Sequence, residues 1–220
     1  MSMLQRTRRP DQQGFTLIEL LIATTVFSII LLVITASVLQ FTKQYYKGLI
    51  SSSTQNVART LVDDITRAIQ FNGGTVTPLT QSGNDRGYCV GNSKRYSYTL
   101  FQQVKDSGAN TTLNQGRHGL VSDSMTGCNS TTSPLGVRTM GGFPAGLSNP
   151  RELLGEHMRI SKFNVTGSNG VYTVTVKVVY GDNDLLTNPT TENANCKSSA
   201  GSQFCAVSEL TTTVNKRINQ

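Results

Sequence analysis

Residues 13–41 read QGFTLIELLIATTVFSIILLVITASVLQF, and this stretch decides the fold. From Leu20 to Thr42 the chain has 23 residues without a charge, a Gly or a Pro, so an unbroken helix is expected. At 1.5 Å per residue such a helix covers about 35 Å, against a hydrocarbon core of about 30 Å. The chain is therefore expected to enter a membrane once. Two features set the run apart from a plain anchor. Glu19 lies at its start, where an ionised carboxylate is costly unless a partner neutralises it, and such a residue marks a functional site. Upstream, the basic leader MSMLQRTRRPDQQG carries Arg6, Arg8 and Arg9 against Asp11 and ends in Gly14. A secretory signal peptide is cut after its apolar region. Here the small residue precedes that region, so a cut after Gly14 leaves the membrane helix on the mature chain.

The order Gly14-Phe15-Thr16-Leu17-Ile18-Glu19, followed by about twenty apolar residues, resembles the class III leader of type IV pilins and of the pseudopilins of type II secretion. The resemblance implies that a membrane-embedded prepilin peptidase cuts after Gly14 and that the new N-terminal Phe15 is N-methylated. It also implies that Glu19 serves assembly, its carboxylate meeting the Phe15 amine of a neighbouring, axially staggered subunit.

Composition bounds the remainder. The 220 residues, 37% hydrophobic and lacking Trp, hold one membrane helix and one globular domain of ordinary size. The formal charge of +7 is spread thinly. Arg86, Lys94, Arg95, Arg117, Arg138, Arg159, Lys162, Lys216 and Arg217 form no run and no aromatic interleaving, so a solvated basic surface is the reading, with nucleic acid kept as an alternative partner. The leader arginines orient the span, since positive charge stays on the cytoplasmic side, and Tyr45 and Tyr46 mark the interface belt beyond it. Cys89, Cys128, Cys196 and Cys205 then all lie outside, where disulfides persist. Four Cys allow three connectivities. Cys89–Cys128 with Cys196–Cys205 is favoured, because the second pair brackets the Ser/Gly-rich KSSAGSQF.

Past Lys43, Val57, Leu61, Ile65 and Ile69 recur every four residues, joined by Ala58, Val62 and Ala68, with Arg59, Asp63, Asp64 and Arg67 elsewhere on the wheel. This predicts an amphipathic continuation stopped at Asn72-Gly73-Gly74, making Phe15 to Phe71 one helix. Residues 75–220 are rich in Thr, Ser, Asn and Gly with short alternating runs. Strands are expected at 95–100 and 206–214, with weaker candidates at 118–121 and 137–140. A hairpin is expected from Met158 to Thr166, turning at Gly167-Ser168-Asn169-Gly170, and back from Val171 to Tyr180. Segments 110–116 and 129–149 read as long loops, and 153–158 as a strand start or a short helix. The expected fold class is α+β: a long N-terminal helix, membrane-spanning in its inner half and amphipathic in its outer half, packed on an antiparallel sheet, the pilin fold. The divisions are leader 1–14, span 15–42, helical extension 43–72 and an exterior β-rich domain 73–220. The order of helix, Cys-bearing β domain and Thr-rich last strand resembles J-type or PilW-like minor pilins and pseudopilins.

No catalytic set is apparent: there is no G-x-S-x-G, P-loop or H-E-x-x-H, and His118 and His157 have no partnering pattern. Asp182-Asn183-Asp184 offers three oxygen side chains for calcium but lacks the Glu that closes an EF-hand loop, so a solvated turn is favoured. Zinc is poorly served, without a C-x-x-C. The expectation is a structural subunit with no cofactor, held in the inner membrane by one pass and then displayed on a pilus. Its partners would be other pilin and minor pilin subunits, the prepilin peptidase and the inner-membrane assembly platform. The alternatives are a J-type pseudopilin of type II secretion, or a tip adhesin or DNA-uptake receptor that uses the loops between Asn110 and Asn149.

Overall fold

The computed structural model describes residues 14–72, 75–104, 118–134 and 147–217. Residues 1–13 of the leader, Gly73-Gly74, the 110–116 loop, the strand candidate at 137–140, and Arg117 and Arg138 lie outside the described residues. By its contacts the chain divides into two compact units, Met1–Lys43 and Gln44–Gln220.

Helix α1 runs from Leu17 to Phe71. It starts two residues later than expected, because Thr16 acts as its cap: Leu20 N donates to Thr16 O at 3.2 Å, while Gly14 to Thr16 are not helical. Every described residue from Gly14 to Leu49 is exposed. Burial begins at Thr54 and continues through Ala58, Leu61, Ile65, Ala68 and Ile69, the stripe read from the four-residue spacing, with Val57 and Val62 half-buried at its margin. Each fully buried Leu or Ile there contributes about 1.5–3 kcal/mol.

That stripe is covered by two sheets where one was expected. The first is an antiparallel meander of β1 (Val76–Pro78), β2 (Asp85–Val90), β3 (Lys94–Thr99), β4 (Leu120–Ser124) and β5 (Ser148–Glu152). The second has the order β10-β7-β6, from β6 (Met158–Ser168), β7 (Val171–Tyr180) and β10 (Ala206–Asn215). A small third sheet pairs β8 (Leu186–Thr187) with β9 (Asn195–Cys196). The 129–149 loop thus gives up its end to β5. Residues 153–157 form neither strand nor helix, and β6 begins at Met158.

The hairpin turn is tighter than expected. Ser168 still pairs with Val171, leaving Asn169 and Gly170 as a two-residue loop with φ of 55° and 85°, the Asn-Gly signature of a type I′ turn. At the β2–β3 turn, Gly91 has φ 62°, and a Cβ there would fall 2.6 Å from Asn72 O, so glycine lets this turn sit on the end of α1. Tyr172, Val174, Val176 and Val178 of β7 face the main core, as their alternation requires, while Tyr180 is only half-buried. Val179, on the opposite face, is also fully buried, against Leu186, Ala194 and Cys205. Beside it, Lys177 reaches the Glu192 carbonyl at 2.8 Å. Segment 182–205 therefore roofs the far side of β7.

Tyrosines join the sheets to each other and to α1. The Tyr98 hydroxyl donates to Phe163 O at 3.1 Å, Val165 N donates to the Tyr88 hydroxyl at 3.3 Å, and the Tyr96 hydroxyl donates to Asp64 Oδ2 at 2.8 Å. Phe101 N and Val104 N donate to Ile160 O and Met158 O, both at 2.8 Å, along the outer edge of β6. Burial, then the Asp64 carboxylate beside it, pushes the Tyr96 phenol far above its ordinary value of 10.0; burial does the same to Tyr98. In the unfolded chain both ionise near pH 10, so the stability that their burial holds is complete below that pH and is lost as pH rises past it. Unfolding free energy is expected to fall by about 1.4 kcal/mol per tyrosine at about pH 11. Tyr96→Phe should flatten that fall by one tyrosine's share in urea titrations at neutral and alkaline pH; an unaltered pH profile would show that Tyr96 ionises freely in the folded state.

Candidate functional site

The first turn of α1 holds the residues singled out from the sequence. Phe15 is 86% exposed, next to Gly14, in chain that has not yet become helical. Glu19 lies one turn on and closes a capping box with Thr16. Thr16 N donates to Glu19 Oε2 at 2.9 Å, Thr16 Oγ1 donates to the same oxygen at 2.8 Å, and Glu19 N donates to Thr16 Oγ1 at 3.3 Å. The T-x-x-E spacing is the sequence signal of this reciprocal pair, a role for Glu19 distinct from the assembly role expected of it. Among the described residues no Lys or Arg pairs with Glu19. The carboxylate is thus held by its own helix start, in the acidic first turn that the helix dipole favours.

Behind this turn the stem presents apolar side chains on all sides. Leu20, Ile22, Phe27, Ile30, Leu32, Ile34 and Leu39 are all exposed, although each is a residue that folded domains bury. Thr24, Thr25, Ser28, Thr35, Ser37 and Thr42 turn their hydroxyls back onto carbonyls three or four residues earlier, so the polar groups of the run are satisfied within the helix. The helix is long and apolar enough to cross a bilayer, and its most apolar window has no burial against the rest of the chain.

The remaining candidates make contacts within the exterior domain. Disulfides join Cys89 to Cys128 and Cys196 to Cys205. Asp182 Oδ1 accepts from Gln103 Nε2 at 2.8 Å, Asn183 Oδ1 accepts from Arg159 Nη1, and the Asp184 carbonyl accepts from Lys197 Nζ at 2.7 Å. These calcium candidates are turned to separate partners, and among the described residues no three His, Cys, Asp or Glu side chains converge as a metal site. Burial lowers the Arg159 pKa, with Asp182 opposing, and its Nη2 donates to Gly181 O at 2.7 Å. Arg159 thereby pins the 181–183 turn. His118 lies 3.2 Å from Glu152, whose carboxylate also accepts the backbone N–H groups of Gly119, Leu120, Leu153 and Leu154. His157 lies 3.8 Å from Asp182. Several of the scattered cations are engaged: Arg95 makes a buried two-pronged pair with Asp123 at 2.7 and 2.9 Å, and Lys94 and Arg151 approach Asp64 at 3.9 and 3.5 Å.

α1 thus begins with a capped turn and an exposed, charge-free run over residues 20–42, and continues into the disulfide-bonded β domain. Residues 9–35 match the family model described as the prokaryotic N-terminal methylation motif, the motif carried by the family of type IV pilin and pseudopilin precursors. That family is structural, its members assemble with other pilins after a prepilin peptidase has acted, and the motif with its apolar helix fits a single-pass inner-membrane precursor that passes into a pilus. No curated protein and no solved structure matches the chain.

Proposed function

We propose that the chain is a minor pilin of a type IV pilus, serving pilus assembly, adhesion or twitching motility and catalysing no reaction itself. Prepilin peptidase cuts between Gly14 and Phe15, the Phe15 amine is methylated, and the exterior domain, residues 73–220, is carried outward on α1. The observation that carries this reading is the methylation motif at residues 9–35, which runs into a charge-free helical stretch whose most apolar window is not buried against the described residues. In the bilayer, lipid covers that helix; in the filament, neighbouring stems do. Glu19 enters the filament already hydrogen-bonded by Thr16 and meets the Phe15 amine of a staggered neighbour, which brings opposite charges together in a medium where each alone is costly. The basic leader keeps the N-terminus cytoplasmic and the domain outside.

Mass spectrometry of the protein isolated from its native host tests leader, cut and modification together. The expected N-terminus is N-methylated Phe15. A mature protein that begins at Met1, or beyond Phe41, would overturn the reading.

A further inference from the structure

The 3-10 turn Ser202–Phe204, between the roof of β7 and the start of β10, leaves Phe204 45% exposed although its neighbour Cys205 is buried. Its ring is 6.0 Å from that of Tyr46, which is 46% exposed on α1; Tyr45 stands edge-on to Tyr46 at 6.2 Å, and Leu49, one turn beyond Tyr45, is also exposed. Three aromatic rings and a leucine therefore share one patch. The patch is firmly held: Cys205 is tied to Cys196 and packs on Val179, Leu186 and Ala194, while Phe204 N donates to Gly201 O at 2.9 Å.

The helix carrying Tyr46 is continuous with the charge-free run, and Tyr46 comes four residues after Thr42, about 6 Å along the helix. That interval is the depth of a headgroup layer, where aromatic rings concentrate and lysines extend toward phosphates. Lys43 and Lys47 flank the tyrosines in the sequence. We propose that, before assembly, Phe204 docks on the bilayer surface, so that the disulfide-closed loop Cys196–Cys205 meets anionic lipid headgroups. The occupant is lipid rather than protein because Tyr45 and Tyr46 follow the charge-free run directly in sequence, between Lys43 and Lys47. This inference rests on residues 20–42 crossing the membrane, and the experiment separates the two claims.

The chain has no Trp, so single-Trp variants report without background. The full chain is reconstituted in vesicles of phosphatidylethanolamine and phosphatidylglycerol containing lipids brominated either near the glycerol or near the bilayer centre. Phe204→Trp and Tyr46→Trp are expected to lose roughly half of their emission to the shallow bromines and little to the deep ones, and Phe27→Trp the reverse. Val171→Trp, beside Tyr172 whose hydroxyl meets Val76 just past the far end of α1, is expected to be quenched by neither. Quenching of Phe27→Trp without quenching of Phe204→Trp would overturn the docking and leave the span intact. Absence of quenching at Phe27→Trp would remove both. A Phe204→Trp emission that shifts with protein concentration and ignores brominated lipid would mean that a second copy covers the patch, and would also overturn the proposal.

Discussion

Glu19→Ala is expected to insert and to be processed as the native chain is, yet to enter filaments at least about tenfold less often, equivalent to about 1.4 kcal/mol. The structure gives Glu19 two separable roles. Within its own helix, Oε2 closes the capping box with Thr16, and losing such a cap costs about 1 kcal/mol of helix stability. In the proposed filament the same carboxylate meets the Phe15 amine of a neighbour. Glu19→Gln distinguishes them, because an amide still completes a capping box but carries no charge. Glu19→Gln is expected to fail in assembly nearly as deeply as Glu19→Ala, whereas Thr16→Ala, which breaks the cap and spares the charge, is expected to assemble. The measurement is the ratio of each variant in sheared filaments to that in membranes. Normal incorporation of Glu19→Gln would refute the charge pairing; a Thr16→Ala defect equal to that of Glu19→Ala would assign the effect to the cap.

Removing Cys89–Cys128 is expected to be the most damaging change to the exterior domain. Its partners are 39 residues apart, against 9 for Cys196–Cys205. By loop-closure entropy the longer link contributes about 4 kcal/mol and the shorter about 2.5 kcal/mol. Cys89 and Cys128 also form a small buried cluster with Leu79, so the longer link is part of a core, and the carbonyl of Asn92 holds Gly127 N and Cys128 N nearby. The double variant Cys89→Ala with Cys128→Ala should lower the urea midpoint of the mature chain in detergent more than Cys196→Ala with Cys205→Ala does. The opposite ranking would show that the roof over β7, not the 125–134 segment, limits stability.

Where local pattern and tertiary demand coincide, the fold was legible. The α1 stripe and the β6–β7 hairpin each bury one face, so their periods of four and two appear in the residues. Strand β2 reads DRGYCV, with two charges and a Gly, and it is a strand because β1 and β3 pair with it on either side. Strand β5 reads SNPRE; its Pro fits a sheet edge with only β4 beside it. Neither announces itself by alternation, and so one sheet was expected where two stand. On β3 the alternation of Tyr96 and Tyr98 was read, but Arg95, Ser97 and Thr99 are buried as well, and a bidentate Asp123 carried by β4, with the Ser133 carbonyl, makes burial of Arg95 tolerable. At the N-terminal end, the methylation motif at residues 9–35 is legible because it is a matter of sequence spacing. The Thr16 cap is equally local, carried by the T-x-x-E spacing. The contact of Phe204 with Tyr46 spans 158 positions and has no sequence signature.

The hydroxyls of Tyr88, Tyr96 and Tyr98, with the strip from Phe101 to Val104 along β6, bear on how the domain answers a mechanical load. Tension arriving through the outer half of α1 reaches Leu61, Ile65 and Ile69, which share one apolar cluster with strands of both large sheets. Neither sheet can peel away while the other stays, since the hydrogen bonds that link them would rupture in the same event. Stretched from its stem in an optical trap, the domain should yield in a single rip rather than as a staircase.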